Sequence, residues 1–131
     1  MRYLILLIGA LALLFSCQSV PTEIPVDLTQ AELIQYAQEA ADQENWDAAI
    51  AYYSAILERF PQDRPGSATA LYEISFIRFK KGDLDEAREG FEQLLGMYDF
   101  EENLLPQWPR TLAEKLLAEM EAAESEPIGE G

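Results

Sequence analysis

The sequence predicts an all-α fold, a stack of two helix pairs closed by one further helix, and three observations predict it. Trp46, Ala49, Tyr53 and Ile56 return further along the chain, in the same order and at the same spacing, as Leu84, Ala87, Phe91 and Leu94. Offsets of three, four and three put each set on one stripe of a helix. Each copy follows a second amphipathic segment, so the repeating unit is a helix pair. Helix start and stop signals fall between the segments where those pairs require them.

In chain order, Thr29 and Glu32 form a capping-box pair and Leu28 can staple onto Leu33, which starts a first helix running to about Gln43. Its inward residues are Leu33, Tyr36, Ala37 and Ala40. Asn45 caps a second helix that ends at Phe60-Pro61, since proline cannot continue it. Gln62–Gly66 reads as a turn by composition. A third helix, Ser67–Lys81, is apolar nearly all round and is expected to be the most enclosed. Lys80 and Lys81 suit its C-terminus, and Gly82 supplies the left-handed stop. Asp83 and Glu86 repeat the capping logic for a fourth helix to about Tyr98. After an irregular stretch, 99–108, a last helix starts near Pro109 with Leu112, Leu116, Leu117 and Met120 on one side.

The two ends differ in kind from this middle. Residues 1–16 read as a signal peptide: Arg2, then an apolar core from Tyr3 to Phe15, too short for a bilayer that takes about 20 residues. Cys17, the only cysteine, stands directly behind it. Leu14-Phe15-Ser16-Cys17 resembles the bacterial lipobox, with Phe15 bulkier than the small residue usual there; the resemblance makes Cys17 the lipid-attachment residue. The proline-containing stretch to residue 28 is then an extended tether, spanning some 30 Å at about 3 Å per residue. The helical domain occupies 29–124, and 125–131 is a disordered acidic tail.

The net charge of −15 disfavours nucleic acid and anionic lipid headgroups as ligands. Membrane attachment therefore rests on acyl chains. There is no histidine, the commonest base and metal ligand at neutral pH. No glycine-rich phosphate loop or calcium-loop spacing appears, and the many carboxylates belong to solvated helix faces. No catalytic residue, metal site or cofactor is expected.

Residue by residue the two copies resemble the tetratricopeptide repeat. Leu33, Tyr36, Ala37 and Ala40, then Trp46, Ala49, Tyr53, Ile56 and Pro61, take the packing positions of the first copy. Leu71, Ile74, Ser75 and Arg78, then Gly82, Leu84, Ala87, Phe91 and Leu94, take those of the second. The copies are spaced more widely than is usual in the family, with the excess in the turn from Pro61 to Gly66. Arg78 fills a usually apolar site, and no proline closes the second copy. With the lipobox, the pattern is similar to envelope lipoproteins of the outer-membrane assembly type. That resemblance implies a lipid-anchored adaptor on the periplasmic side of the outer membrane, binding a protein partner without catalysis. The alternative is a structural lipoprotein that stacks on a copy of itself. The family's first helices line a groove, and the residues of the third helix not spent on packing, Tyr72, Phe76, Phe79 and Lys80, with Arg78 beside them, are the candidate partner-binding set. The alternative for the aromatics is that the last helix or the tether covers them within the monomer. Small-stack arithmetic requires the last helix to act as a cap, or another chain to complete the stack, because about three units are needed for a continuous core.

Overall fold

The computed structural model describes residues 20, 21, 23–101 and 103–125. Five helices follow one another: α1 (Gln30–Asp42), α2 (Trp46–Arg59), α3 (Arg64–Lys81), α4 (Leu84–Glu101) and α5 (Gln107–Ser125). Each packs on its neighbours in the chain, and α5 also reaches back to α3. The result is an all-α tetratricopeptide-like stack, with α1–α2 and α3–α4 as the pairs and α5 laid across the end of the second.

Local chemistry sets the helix boundaries. The Thr29 hydroxyl accepts from the Glu32 amide at 3.3 Å, and the Glu32 carboxylate accepts from the Thr29 amide at 2.8 Å. The Thr29 hydroxyl also donates to that carboxylate at 2.7 Å, and this bond first, with the amide bond second, holds the Glu32 carboxyl below its usual range. Asn45 Oδ1 accepts from the Ala48 amide at 3.4 Å to start α2. α3 begins earlier than composition suggests. Asp63 Oδ1 accepts from the Gly66 amide at 3.2 Å, and Pro65 falls in the first turn, where its missing N–H costs nothing. Half of the expected turn is therefore helix. The reciprocal Asp83–Glu86 cap is not formed; the Asp83 carboxylate lies 3.6 Å from Lys81 Nζ, and its backbone carbonyl accepts from Ala87.

The first helix of each pair stops in the same way. Asn45 N bonds Ala40 O at 2.8 Å and Glu44 N bonds Ala41 O at 3.0 Å. At the matching place in the second copy, Asp83 N bonds Arg78 O at 2.9 Å and Gly82 N bonds Phe79 O at 3.1 Å. Both are Schellman closures around a left-handed residue, Gly82 at φ 86° and Glu44 at φ 56°. Only the second copy spends a glycine there. Glu44→Gly is thus expected to raise stability and Gly82→Ala to lower it, each by about 1 kcal/mol. Opposite shifts in the thermal midpoint check this, and shifts of the same sign would refute it.

The core lies in two connected clusters. Leu33, Ala37, Ala49, Tyr53 and Ile56 of the first pair meet Ala70, Ile74 and Ile77 of α3. Tyr72, Ala87, Phe91, Leu94 and Tyr98 meet Ala113 and Met120 of α5. Ala49 and Ala87 are wholly buried, as close helix approach requires. A second close point was not legible: a Cβ on Gly90 would come within 3.1 Å of Ser75 Cβ, so α3 and α4 touch there nearly backbone to backbone. Three expected inward residues face outward instead. Tyr36 is exposed and stacks on Tyr52 at 5.5 Å. Leu84 and Leu112 are exposed too; in α5 the inward series is Pro109, Ala113 and Met120, one residue round from Leu112.

Both edges of the stack are covered. At one, the extended segment before α1 lies on the domain: Ile24 and Leu28 pack on the first cluster, and the Arg59 guanidinium donates to Pro25 O at 2.6 Å and Ile24 O at 2.9 Å. At the other, the turn into α5 is pinned by buried Leu105 and by the Tyr98 hydroxyl, which donates to Pro106 O. Helix α5 continues past Glu119 to Ser125, its end tied to α4 by the Arg88–Glu124 pair. The remaining acidic tail, the signal segment and Cys17 lie outside the described residues.

Candidate functional site

α3 is the central helix of the molecule and carries the site. Its Ala70, Ile74 and Ile77 side is spent on the first cluster, and its Leu71 and Tyr72 side on the second. Between them, Glu73, Phe76 and Lys80 follow at three and four residues, which gives one stripe along the helix. This stripe is partly open to solvent, with Phe76 also packed against the second cluster.

The four aromatic and basic residues expected to act together are divided by the structure. Tyr72 is buried, its exposure only 6%. Its ring meets Trp108 of α5 edge-on at 5.2 Å, Phe91 at 6.0 Å and Phe76 at 5.9 Å. The capping helix covers it, so it is a supporting residue and no open anchor. Phe79 turns towards the α5 end and lines an apolar groove of about 300 Å³ with Leu84, Met120 and Ala123. Phe76 is half-buried, one face on Tyr72 and the rest towards solvent. Lys80 is exposed, and its ammonium lies 4.5 Å from the centre of the Trp46 ring and 5.8 Å from that of Phe76. Its charge therefore rests on aromatic faces. Arg78 is half-buried.

What emerges is a continuous ladder across three helices: Trp46 of α2, Lys80, Phe76 and Tyr72 of α3, then Trp108 of α5. The two tryptophans were not among the expected site residues. Trp46 looked like a packing residue of the repeat, and Trp108 stood in a stretch read as irregular. Trp108 is 43% exposed, large for a residue with so much apolar surface to bury. The Lys81 Nζ–Asp47 Oδ1 ion pair at 2.8 Å fixes the α2 end against α3 beside this ladder.

Next to the ladder a notch of about 110 Å³ opens between α1 and α3. Ile34, Ile56 and Ala70 line it with apolar surface, and Gln38, Tyr53, Thr69 and Glu73 add polar groups. Burial raises the Glu73 carboxyl above its usual range. Burial, with the charges of Glu73 and Asp42 adding, pushes the Tyr53 hydroxyl up to about 12. The Tyr72 hydroxyl is raised by burial first and Glu73 second. A further depression, about 450 Å³ between α4 and α5, is a different environment: its Arg110 and Glu114 are paired at 3.0 Å.

Among the described residues no three metal-ligating side chains converge, and no helix is long and apolar enough to cross a membrane. A tetratricopeptide-repeat family model matches residues 33–63 and 69–99, the two helix pairs described above. The chain therefore carries two tetratricopeptide repeats, units that typically serve as non-catalytic scaffolds for protein–protein interaction. It is also similar to an uncharacterized protein of Treponema pallidum (strain Nichols), 32% identical over 88 residues. That similarity covers 66% of this chain and 35% of the relative, so the chain spans about a third of the relative's length. No solved structure matches the chain.

Proposed function

We propose that the protein is a lipid-anchored adaptor of a bacterial envelope, attached through Cys17 to the outer membrane and facing the periplasm. It captures a protein partner on the α1–α3–α5 face and helps to assemble or organise an envelope complex. The observation that carries the binding role is the ladder of Trp46, Lys80, Phe76 and Trp108, which leaves aromatic surface open beside a fully formed core. Aromatic anchors of this kind dominate protein interfaces. Self-stacking is less well supported, since the chain's own tether segment lies on one edge of the stack and α5 on the other.

Phe76→Ala tests the binding role. Its ring is half-buried, so truncation should cost about 1–2 kcal/mol of stability, less than for a fully enclosed phenylalanine. Affinity for a partner recovered from native membranes should fall by roughly 2 kcal/mol, about 30-fold. Unchanged capture by the folded variant would remove this face from the interaction. The anchor is tested separately: Cys17→Ser should abolish palmitate incorporation and leave unprocessed precursor, and normal labelling would end that part of the reading.

A further inference from the structure

Among the described residues, Glu73 is a partly buried acid whose carboxyl is raised above its usual range by burial. Its carboxylate is partly withdrawn from water at the mouth of the notch, yet it makes no hydrogen bond or ion pair with any described residue. The cation nearest along the same stripe, Lys80, is engaged with Trp46 and Phe76. Lys81 is committed to Asp47, Arg64 to Glu101 and Arg59 to the tether, and Arg78 of the same helix forms no ion pair with Glu73. A desolvated carboxylate without a counter-charge favours any cation that can reach it.

The shape and the donor count narrow that cation. The apolar walls, Ile34, Ala70 and Ile56, suit an aliphatic stem whose charge stays at the far end. Its polar lining consists of the Glu73 carboxylate, the Tyr53 hydroxyl, the Gln38 amide and the Thr69 hydroxyl, the last already donating to Pro65 O. An ammonium has three N–H groups to satisfy, whereas a guanidinium brings five in a planar fork. The −15 charge of the whole chain also draws a basic segment towards it.

We propose that the notch between α1 and α3 receives the ammonium end of a lysine side chain presented by the protein partner, with Glu73 as its counter-charge. The inference rests on the partner-binding reading of this face. It makes the site two-part: the aromatic ladder holds apolar surface of the partner, and the notch beside it selects one basic residue.

The test is a nuclear magnetic resonance titration of the full chain in detergent micelles with Nα-acetyl-lysine methylamide. Nα-acetyl-norleucine methylamide serves as the uncharged isostere and glycine methylamide as the free α-amine. The lysine compound should produce saturable shifts at Ile34, Gln38 and Ala70. Its affinity should be roughly tenfold weaker in Glu73→Gln, the scale of one charge-assisted hydrogen bond. Gln38→Glu, which adds a second carboxylate opposite the first, should tighten binding about threefold or more. Equal shifts from the norleucine compound, no residue-specific shifts, an unaffected Glu73→Gln or a weakened Gln38→Glu would each overturn the proposal. Equal binding of glycine methylamide would overturn the assignment to a lysine side chain. If Phe76→Ala loses partner capture while the lysine titration is silent, the interaction face stands and only the lysine assignment falls. If lysine binds but Phe76→Ala still captures the partner normally, the ladder is the part that falls.

Discussion

Phe91→Ala should be the most damaging single truncation in the chain. Phe91 is fully enclosed in the second cluster, where α3, α4 and α5 meet, and its ring lies 6.0 Å from that of Tyr72. Removing a buried phenylalanine costs about 3–5 kcal/mol, because the lost transfer energy is joined by the cavity left behind. At roughly 4–8 °C per kcal/mol for a domain near this size, the thermal midpoint should fall by about 12 °C or more. Phe100→Ala supplies the control, since Phe100 is 91% exposed and should melt with wild type. Similar drops for both would mean that the second cluster does not hold the stack together.

The second large effect comes from adding volume. Ala49 and Ala87 are each fully buried, one in each repeat, at positions where a small side chain lets two helices approach. Leucine at either site should push the helices apart, at a cost of about 1–3 kcal/mol. The two should act alike, because they hold equivalent positions in the two repeats and their surroundings recur. Ala122→Leu, on an exposed part of α5, should change little. Equal effects at all three sites would show that the helix interfaces lie elsewhere.

The repeat was legible because it rests on spacing. Trp46, Ala49, Tyr53 and Ile56 can share a stripe only on a helix, and meeting that pattern twice fixes the pairs and their order. Caps followed where the chemistry is local, as at Thr29, Asn45 and Gly82. Local composition misled where one residue serves two structures. Pro65 and Gly66 are turn formers, but Asp63 converts them into a helical first turn. The face buried by α5 was harder still. Whether Leu112 or Ala113 points inward is a rotation of one residue, and it is decided by Pro109 and Met120 engaging α4 and α3. Tyr72 was assigned to an open surface because nothing near it in the chain announces Trp108 overhead.

The notch could not have been read from sequence at all. Glu73 sits between packing positions on α3 like any surface acid, and its character depends on Ile34 and Gln38, one helix pair earlier in the chain. It is withdrawn from water where residues of α1, α2 and α3 come together around the notch. The two helices are joined near their starts by Gln30 Nε2 donating to Asp63 Oδ2. That bond makes the Asp63 carboxylate both the cap of α3 and a link to α1.

The grip of Arg59 on Ile24 and Pro25 bears on the mechanics of the proposed attachment at Cys17. A tether from residue 18 to 27 would be shortened by it, because residues 24 and 25 are held to the domain. At about 3 Å per residue, the leash would shorten from roughly 30 Å to roughly 20 Å. The volume it could sweep scales with the cube of its length, so a target in the same membrane would meet the domain at roughly three times the local concentration. Under the proposed anchoring, a single guanidinium would thereby set how often the ladder or the notch meets its target.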